Sequence, residues 1–161
     1  MSSPPSSTLV FAASVPASAR TRVERLFFFN PRQRDFHTGI HETIEVLGIP
    51  TLVEADGRVW IEVRSGTTQC LFACDPAAQD RPVGVVLYAR PDPETLWVSH
   101  VAVDPEYGVL NPGDRTSVGI ILFNQVVEIA RRIRGVTRIK LPYRGDAYLT
   151  IQPTRASGAE S

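Results

Sequence analysis

The sequence predicts an α/β (α+β) fold: a mixed, mostly antiparallel sheet with one parallel β-α-β unit, flanked by helices. Three observations lead there. Residues 98 to 142, VSHVAVDPEYGVLNPGDRTSVGIILFNQVVEIARRIRGVTRIKLP, read as strand, loop, long helix and strand, and the short link after the helix makes the two strands parallel. Between residues 51 and 103, short runs of β-type residues are separated by turn residues, the pattern of hairpins. Between residues 16 and 47, apolar residues recur at helical spacing.

Taken in order, MSSPPSST at residues 1 to 8 is a Ser/Pro-rich tail expected to be disordered. LVFAASVPASA, residues 9 to 19, resembles a secretory signal in its apolar run and small residues, but no Lys or Arg precedes it. A first strand from Leu9 to Val15 is the better reading. Pro16 and Ser18 open a helix through ARTRVERLFFF, stopped by Asn30-Pro31. A second helix is expected from about Asp35 to Leu47, ended by Gly48. TLVEA and RVWIEV flank Asp56-Gly57, a strong hairpin signal, and Val59, Ile61 and Val63 share the inward face. TTQCLFAC follows, then a loop from Pro76 to Pro82. VGVVLYA, residues 83 to 89, is apolar enough for a central strand, and TLWVSHVAV closes the run. The long helix is expected from about Val118 to Arg134, capped by Thr116 or Ser117 and ended by Gly135. VTRIKLP is the parallel strand, DAYLTI one more short strand or turn, and residues 153 to 161 a second tail. Residues 9 to 152 are thus expected to form one domain.

Composition narrows the function. Lys+Arg and Asp+Glu each number 17, so the net charge is zero, which argues against a general nucleic-acid binder. The arginines at 20, 22, 25, 32 and 34 read as a solvated helix face. No run is long enough to span a membrane. Cys70 and Cys74, four apart on one strand, would lie about 13 Å from each other, too far for a disulfide. They read as buried thiols, consistent with a reducing cytoplasm. His37 and His41 have metal-compatible spacing but no evident third ligand, so no metal is expected.

A loop that feeds a helix N-terminus is a ready anion site, because unpaired N–H groups and the helix dipole both point at the incoming group. A phosphate-bearing cofactor is therefore the first expectation. HVAVDPEY and GIILFNQVVEIARRIRGVTRIKLP together resemble the fourth strand, following helix and fifth strand of the GNAT superfamily of acyl-CoA-dependent N-acyltransferases. The element order from residue 9 to 141 is similar as well. The resemblance implies acetyl-CoA or another acyl-CoA as cofactor and an unidentified amine or protein acceptor.

It also implies roles for particular residues. Val101, Ala102 and Val103 would flank the pantetheine arm, with the Val103 amide as oxyanion donor. The amides of Ser117, Val118, Gly119 and Ile120, the hydroxyls of Thr116 and Ser117, and the charge of Arg115 would hold the pyrophosphate. Ser99 and His100 stand where the family carries a base, and the ordinary histidine pKa suits that role near neutrality. Tyr148 or Tyr143 would protonate the leaving thiolate. Two departures stand against this pattern. The family's Arg/Gln-x-x-Gly-x-Gly/Ala loop is replaced by GVLNPGDRTSVG, with Asp114 and Ser117 at motif positions. Little chain follows Leu141 for the usual closing helix and hairpin, which leaves room for completion by a second copy in a homodimer. The rival readings are a GNAT-like domain without catalysis, serving as a CoA sensor or protein-interaction module, and an unrelated α+β binding protein. The last would show no splay between the strands at 95 to 103 and 137 to 141. Strict alternation along TLWVSHVAV would set Trp97, Ser99, Val101 and Val103 on one face and His100 on the other.

Overall fold

The computed structural model describes residues 9–30, 37–63, 68–108, 117–141 and 147–152. The elements are β1 (Val10–Ala12), β2 (Val15–Pro16), a 3₁₀ turn (Ala17–Ala19), α1 (Arg20–Val23), a π-helical turn (Glu24–Phe28) and α2 (His37–Leu47). Then come β3 (Pro50–Ala55), β4 (Arg58–Val63), β5 (Thr68–Asp75), β6 (Ala78–Asp92), β7 (Thr95–Val103), α3 (Pro105–Gly108), α4 (Val118–Arg132), β8 (Arg138–Lys140) and β9 (Tyr148–Thr150). The fold class is the expected one. Among the described residues the main sheet has the order β1-β5-β6-β7-β8-β9, antiparallel except for the β7–β8 pair.

Several expectations need correction. The single strand from Leu9 to Val15 is two strands in different sheets: β1 pairs with β5, whereas β2 joins β4 and β3 in a separate three-stranded sheet. The expected loop from Pro76 to Pro82 is mostly strand, because β5 and β6 form a tight hairpin with a register shift near Cys74. The first helix is three short stretches of different pitch rather than one α-helix. The long helix ends at Arg132, short of Arg134, and its cap is Ser117. The tails, Asp35 and Thr116 lie outside the described residues.

β6 is apolar along its middle because both of its faces are covered. Val85, Leu87 and Ala89 join Cys70, Phe72, Trp97 and Ala102 against the N-terminal helical turns and the small sheet. Val86 and Tyr88 join Leu96, Val98 and Ile139 against Val118, Leu122, Val126 and Ala130 of α4. Each buried Val or Leu on that stripe contributes roughly 1.5–3 kcal/mol. The helix can come this close because β6 has glycine beneath it. A Cβ on Gly84 would lie 2.6 Å from Val118 Cγ1 and 2.8 Å from Leu122 Cδ1. In the small sheet, Asp56 and Gly57 take positive φ of 52° and 73°, so the Asp-Gly pair makes the hairpin turn it predicts. Among the described residues, no helix is long and apolar enough to cross a membrane.

Candidate functional site

The parallel pair sets up the site. β8 meets β7 only at Thr95–Arg138, Leu96–Ile139 and Trp97–Lys140. β7 then runs on to Val103 while β8 stops at Lys140. Pairing between the two strands therefore ends at Trp97–Lys140, and β7 runs on beyond it.

Past that point β7 carries a bulge. On β6, Leu87 faces His100 and Tyr88 faces Val98, so Ser99 has no opposite number. The extra residue shifts the phase of the strand and overturns the alternation read from the sequence. Trp97, Ala102 and His100 look toward the N-terminal turns, whereas Val98, Val101 and Val103 lie on the α4 side. Ser99 is fully buried, and its hydroxyl donates to the Leu87 carbonyl at 3.2 Å. That uses the only proton of the hydroxyl. The 3.2 Å contact between Ser99 Oγ and His100 Nδ1 is then donated by the ring, which puts the imidazole lone pair on Nε2.

His100 itself is buried, 5% exposed, with the Phe27 ring at 5.5 Å. Burial pushes its pKa down to about 4, well below the value the sequence reading relied on. The ring is therefore neutral at physiological pH and only weakly basic.

Beside the end of β7 is the start of α4. Ser117 is its N-cap: the hydroxyl accepts from the Ile120 amide at 3.0 Å, and the carbonyl accepts from Ile121 at 2.9 Å. Ile120 was expected to present its amide to a phosphate, but that amide is bonded to Ser117. The first-turn amides of Val118 and Gly119 have no acceptor within the helix. Gly119 sits against β7, for a Cβ there would meet Val103 Cγ2 at 3.6 Å and Ser117 Oγ at 4.0 Å. Those are ordinary contacts, so the glycine is not forced by packing; its missing side chain leaves space beside Val103. The structure thus brings Val103, Ser117, Val118 and Gly119 together. Arg115, Thr116 and Tyr143 lie outside the described residues.

Tyr148 stands on β9 opposite Lys140, which is itself level with Trp97. It is two strands away from β7 and exposed, with the Arg138 guanidinium 4.6 Å from its ring centre. The described residues do not bring it to His100.

Sequence reasoning missed the clamp at the end of β7. Buried Asn30 donates through Nδ2 to the Leu26 carbonyl and to the Val103 carbonyl, both at 3.0 Å. It ties the end of the π turn to the residue proposed as oxyanion donor. Arg22 donates to the Pro82 carbonyl at 2.8 Å and pairs with Asp104 at 2.9 Å. Arg20 pairs with Glu24 and Glu54. Arg22 is therefore a structural tie, whereas Arg20, with its exposed ion pairs, stays on the solvated face expected of it. Asn30 had read only as a helix stop, and the one available signal was a polar residue directly after three phenylalanines. Cys70 and Cys74 are buried free thiols, as expected, and burial raises the Cys70 pKa to about 11. His41 pairs with Glu45 on an exposed face of α2.

No protein-family model and no curated protein matches the chain. Among solved structures, a GNAT-family protein from Desulfovibrio desulfuricans is similar at 18% identity and a TM-score of 0.44, over 82% of this chain and 71% of that one. Nourseothricin acetyltransferase is similar at 18% identity and a TM-score of 0.34, over 56% of each chain.

Proposed function

We propose that the chain is a GNAT-like acyl-CoA-binding domain that transfers an acetyl or other short acyl group to an amine. The observation that carries this reading is that β7 runs on past its three paired positions with β8, to Val103 beside the N-terminus of α4. An extended arm fits along a strand edge left unpaired, and a pyrophosphate fits at a helix start. Val101 to Val103 would flank the arm, and the Val118 and Gly119 amides, with the side chains of Arg115 and Thr116, would hold the phosphates. When bound, the acyl thioester supplies the electrophilic carbonyl. His100, as neutral imidazole with its lone pair on Nε2, would accept the proton of the attacking amine. The Val103 amide is the proposed donor to the thioester oxygen. Tyr143 and Tyr148 stay candidates for returning a proton to sulfur.

A second reading is binding without transfer, as a CoA sensor or interaction module. Two observations favour it: Ser117 occupies the Ile120 amide, and His100 is too weak a base to deprotonate an alkylammonium. Calorimetric titration with acetyl-CoA, and separately with CoA, tests the first reading. Micromolar binding that is lost in Ser117→Glu supports the cofactor site. A folded protein that binds neither compound refutes the transferase and the CoA sensor and leaves the interaction module. Binding with no acyl transfer to any of a broad amine set selects the second.

A further inference from the structure

The direction of the backbone at the end of β7 follows from its hydrogen bonds. The Asp104 amide donates to the Val83 carbonyl at 2.9 Å, and Val103 stands opposite Gly84. A bond in that place makes Gly84–Val103 a non-hydrogen-bonded pair, whose N–H and C=O groups point away from the partner strand. The Val103 N–H and C=O therefore both point away from β6, to the edge that β8 leaves unpaired beyond Trp97. Asn30 donates to the Val103 carbonyl at 3.0 Å, so its amide lies along that same edge.

The π turn explains how Asn30 comes to be there. The Phe29 amide bonds to the Glu24 carbonyl, five residues back, at 3.1 Å. At that pitch the Leu26 carbonyl would next need the amide of Pro31, which has no N–H. The Asn30 side chain supplies the missing donor at 3.0 Å. A side-chain amide has two hydrogens, and Asn30 places one on the Leu26 carbonyl and the other on the Val103 carbonyl. The side chain is buried, which keeps bulk water from standing in for it.

We propose that Asn30 is a positioning residue for the thioester oxygen: by occupying the Val103 carbonyl, it makes the end of the β7 edge a site that donates through the Val103 N–H. This rests on the transferase reading above. The N–H and C=O of one extended residue emerge side by side, so an oxygen drawn to the first is repelled by the second. As the amine attacks, negative charge collects on the thioester oxygen, and a bare carbonyl beside it would oppose that charge. The Asn30 hydrogens cover the carbonyl and fix the plane of its peptide. Arg22 ties the same end of the strand differently: its bonds run to the Pro82 carbonyl and the Asp104 carboxylate, and neither is a group of Val103.

The test exploits a difference between two ligands. Acetyl-CoA carries the thioester oxygen and CoA does not. The affinities of both are measured by calorimetry for the full chain as wild type, Asn30→Ala and Arg22→Met. The carbonyl stretch of bound acetyl-CoA, isotopically labelled at the thioester carbonyl, is read by difference infrared spectroscopy. In Asn30→Ala the acetyl-CoA preference over CoA should fall roughly three- to tenfold, the worth of one neutral hydrogen bond. CoA affinity should hold, and the stretch should move to higher frequency. Arg22→Met should keep both the preference and the stretch of the wild type. Asn30→Ser, whose hydroxyl stops one bond short of both carbonyls, gives the same reading where the alanine variant does not fold. Equal weakening of both ligands, an unmoved stretch, or the same change in Arg22→Met would reduce Asn30 to a structural tie and overturn the proposal. A wild type that binds neither ligand refutes the transferase reading instead.

Discussion

His100 makes a quantitative demand on the pH dependence of stability. In the unfolded chain its pKa is the ordinary 6.5, and in the fold it is about 4, lowered by burial. Above pH 6.5 both states hold a neutral ring, and the group contributes nothing to the slope. As the pH falls below 6.5 the unfolded chain takes up a proton that the folded chain refuses until about pH 4. The unfolded state then binds more protons, and stability drops across that window. Between pH 7.5 and 4.5 the integrated loss from this one ring is roughly 2–3 kcal/mol. The assay is urea unfolding followed by tryptophan fluorescence at both pH values, for the wild type and for His100→Gln and His100→Leu. The other ionisable groups are the same in all three proteins, so the difference of differences isolates His100. The wild type should lose roughly 2–3 kcal/mol more than either variant. An equal loss in all three would show that the ring protonates freely in the fold. The argument that the ring is too weak a base for an alkylammonium would then go with it.

Gly84→Ala should destabilise by about 1–3 kcal/mol and weaken acyl-CoA binding, because its Cβ would push α4 off β6 at Val118 and Leu122. Gly119→Ala should keep wild-type stability, since its contacts are ordinary; chemical denaturation of the two variants side by side decides this. Ser117→Ala should cost about 1 kcal/mol of stability through the lost cap. The same change should leave acyl-CoA affinity equal or tighter by calorimetry, because the Ile120 amide is released; a tenfold loss would mean that the hydroxyl itself binds phosphate. Asn30→Ala should destabilise by about 1–3 kcal/mol, because two carbonyls at the π turn and at Val103 lose their donor. An unchanged urea midpoint would contradict the clamp.

The parts of this fold legible in the sequence are those whose signal is local. Asp56-Gly57 announced its hairpin because only a few residue pairs tolerate consecutive positive φ. Val118, Leu122, Val126 and Ala130 announced α4 because the buried stripe repeats every fourth residue. What stayed hidden depends on distant partners. The division of residues 9 to 16 between two sheets follows from pairing with Cys74 on one side of Ala13 and with Val59 on the other, and neither partner is near in sequence. The phase of His100 was misjudged because the bulge at Ser99 is set by its register against Leu87 and Tyr88 on β6. Its altered basicity could not be read either, since the burial comes from Phe27 and its neighbours far upstream.

The division of the N-terminal strand also bears on how the chain is made. Val10 to Ala12 leave the ribosome long before Phe72 to Cys74, and Val15 long before Val59. The meander of β5, β6 and β7, by contrast, can close hairpin by hairpin as it emerges. Loop-closure entropy favours the same sequence of events, since near contacts form before far ones. β1 and β2 are thus left with an open hydrogen-bonding edge for as long as translation needs to reach their partners. Val10, Phe11 and Val15 stay exposed over that interval, which makes this short segment the natural client of a ribosome-bound chaperone.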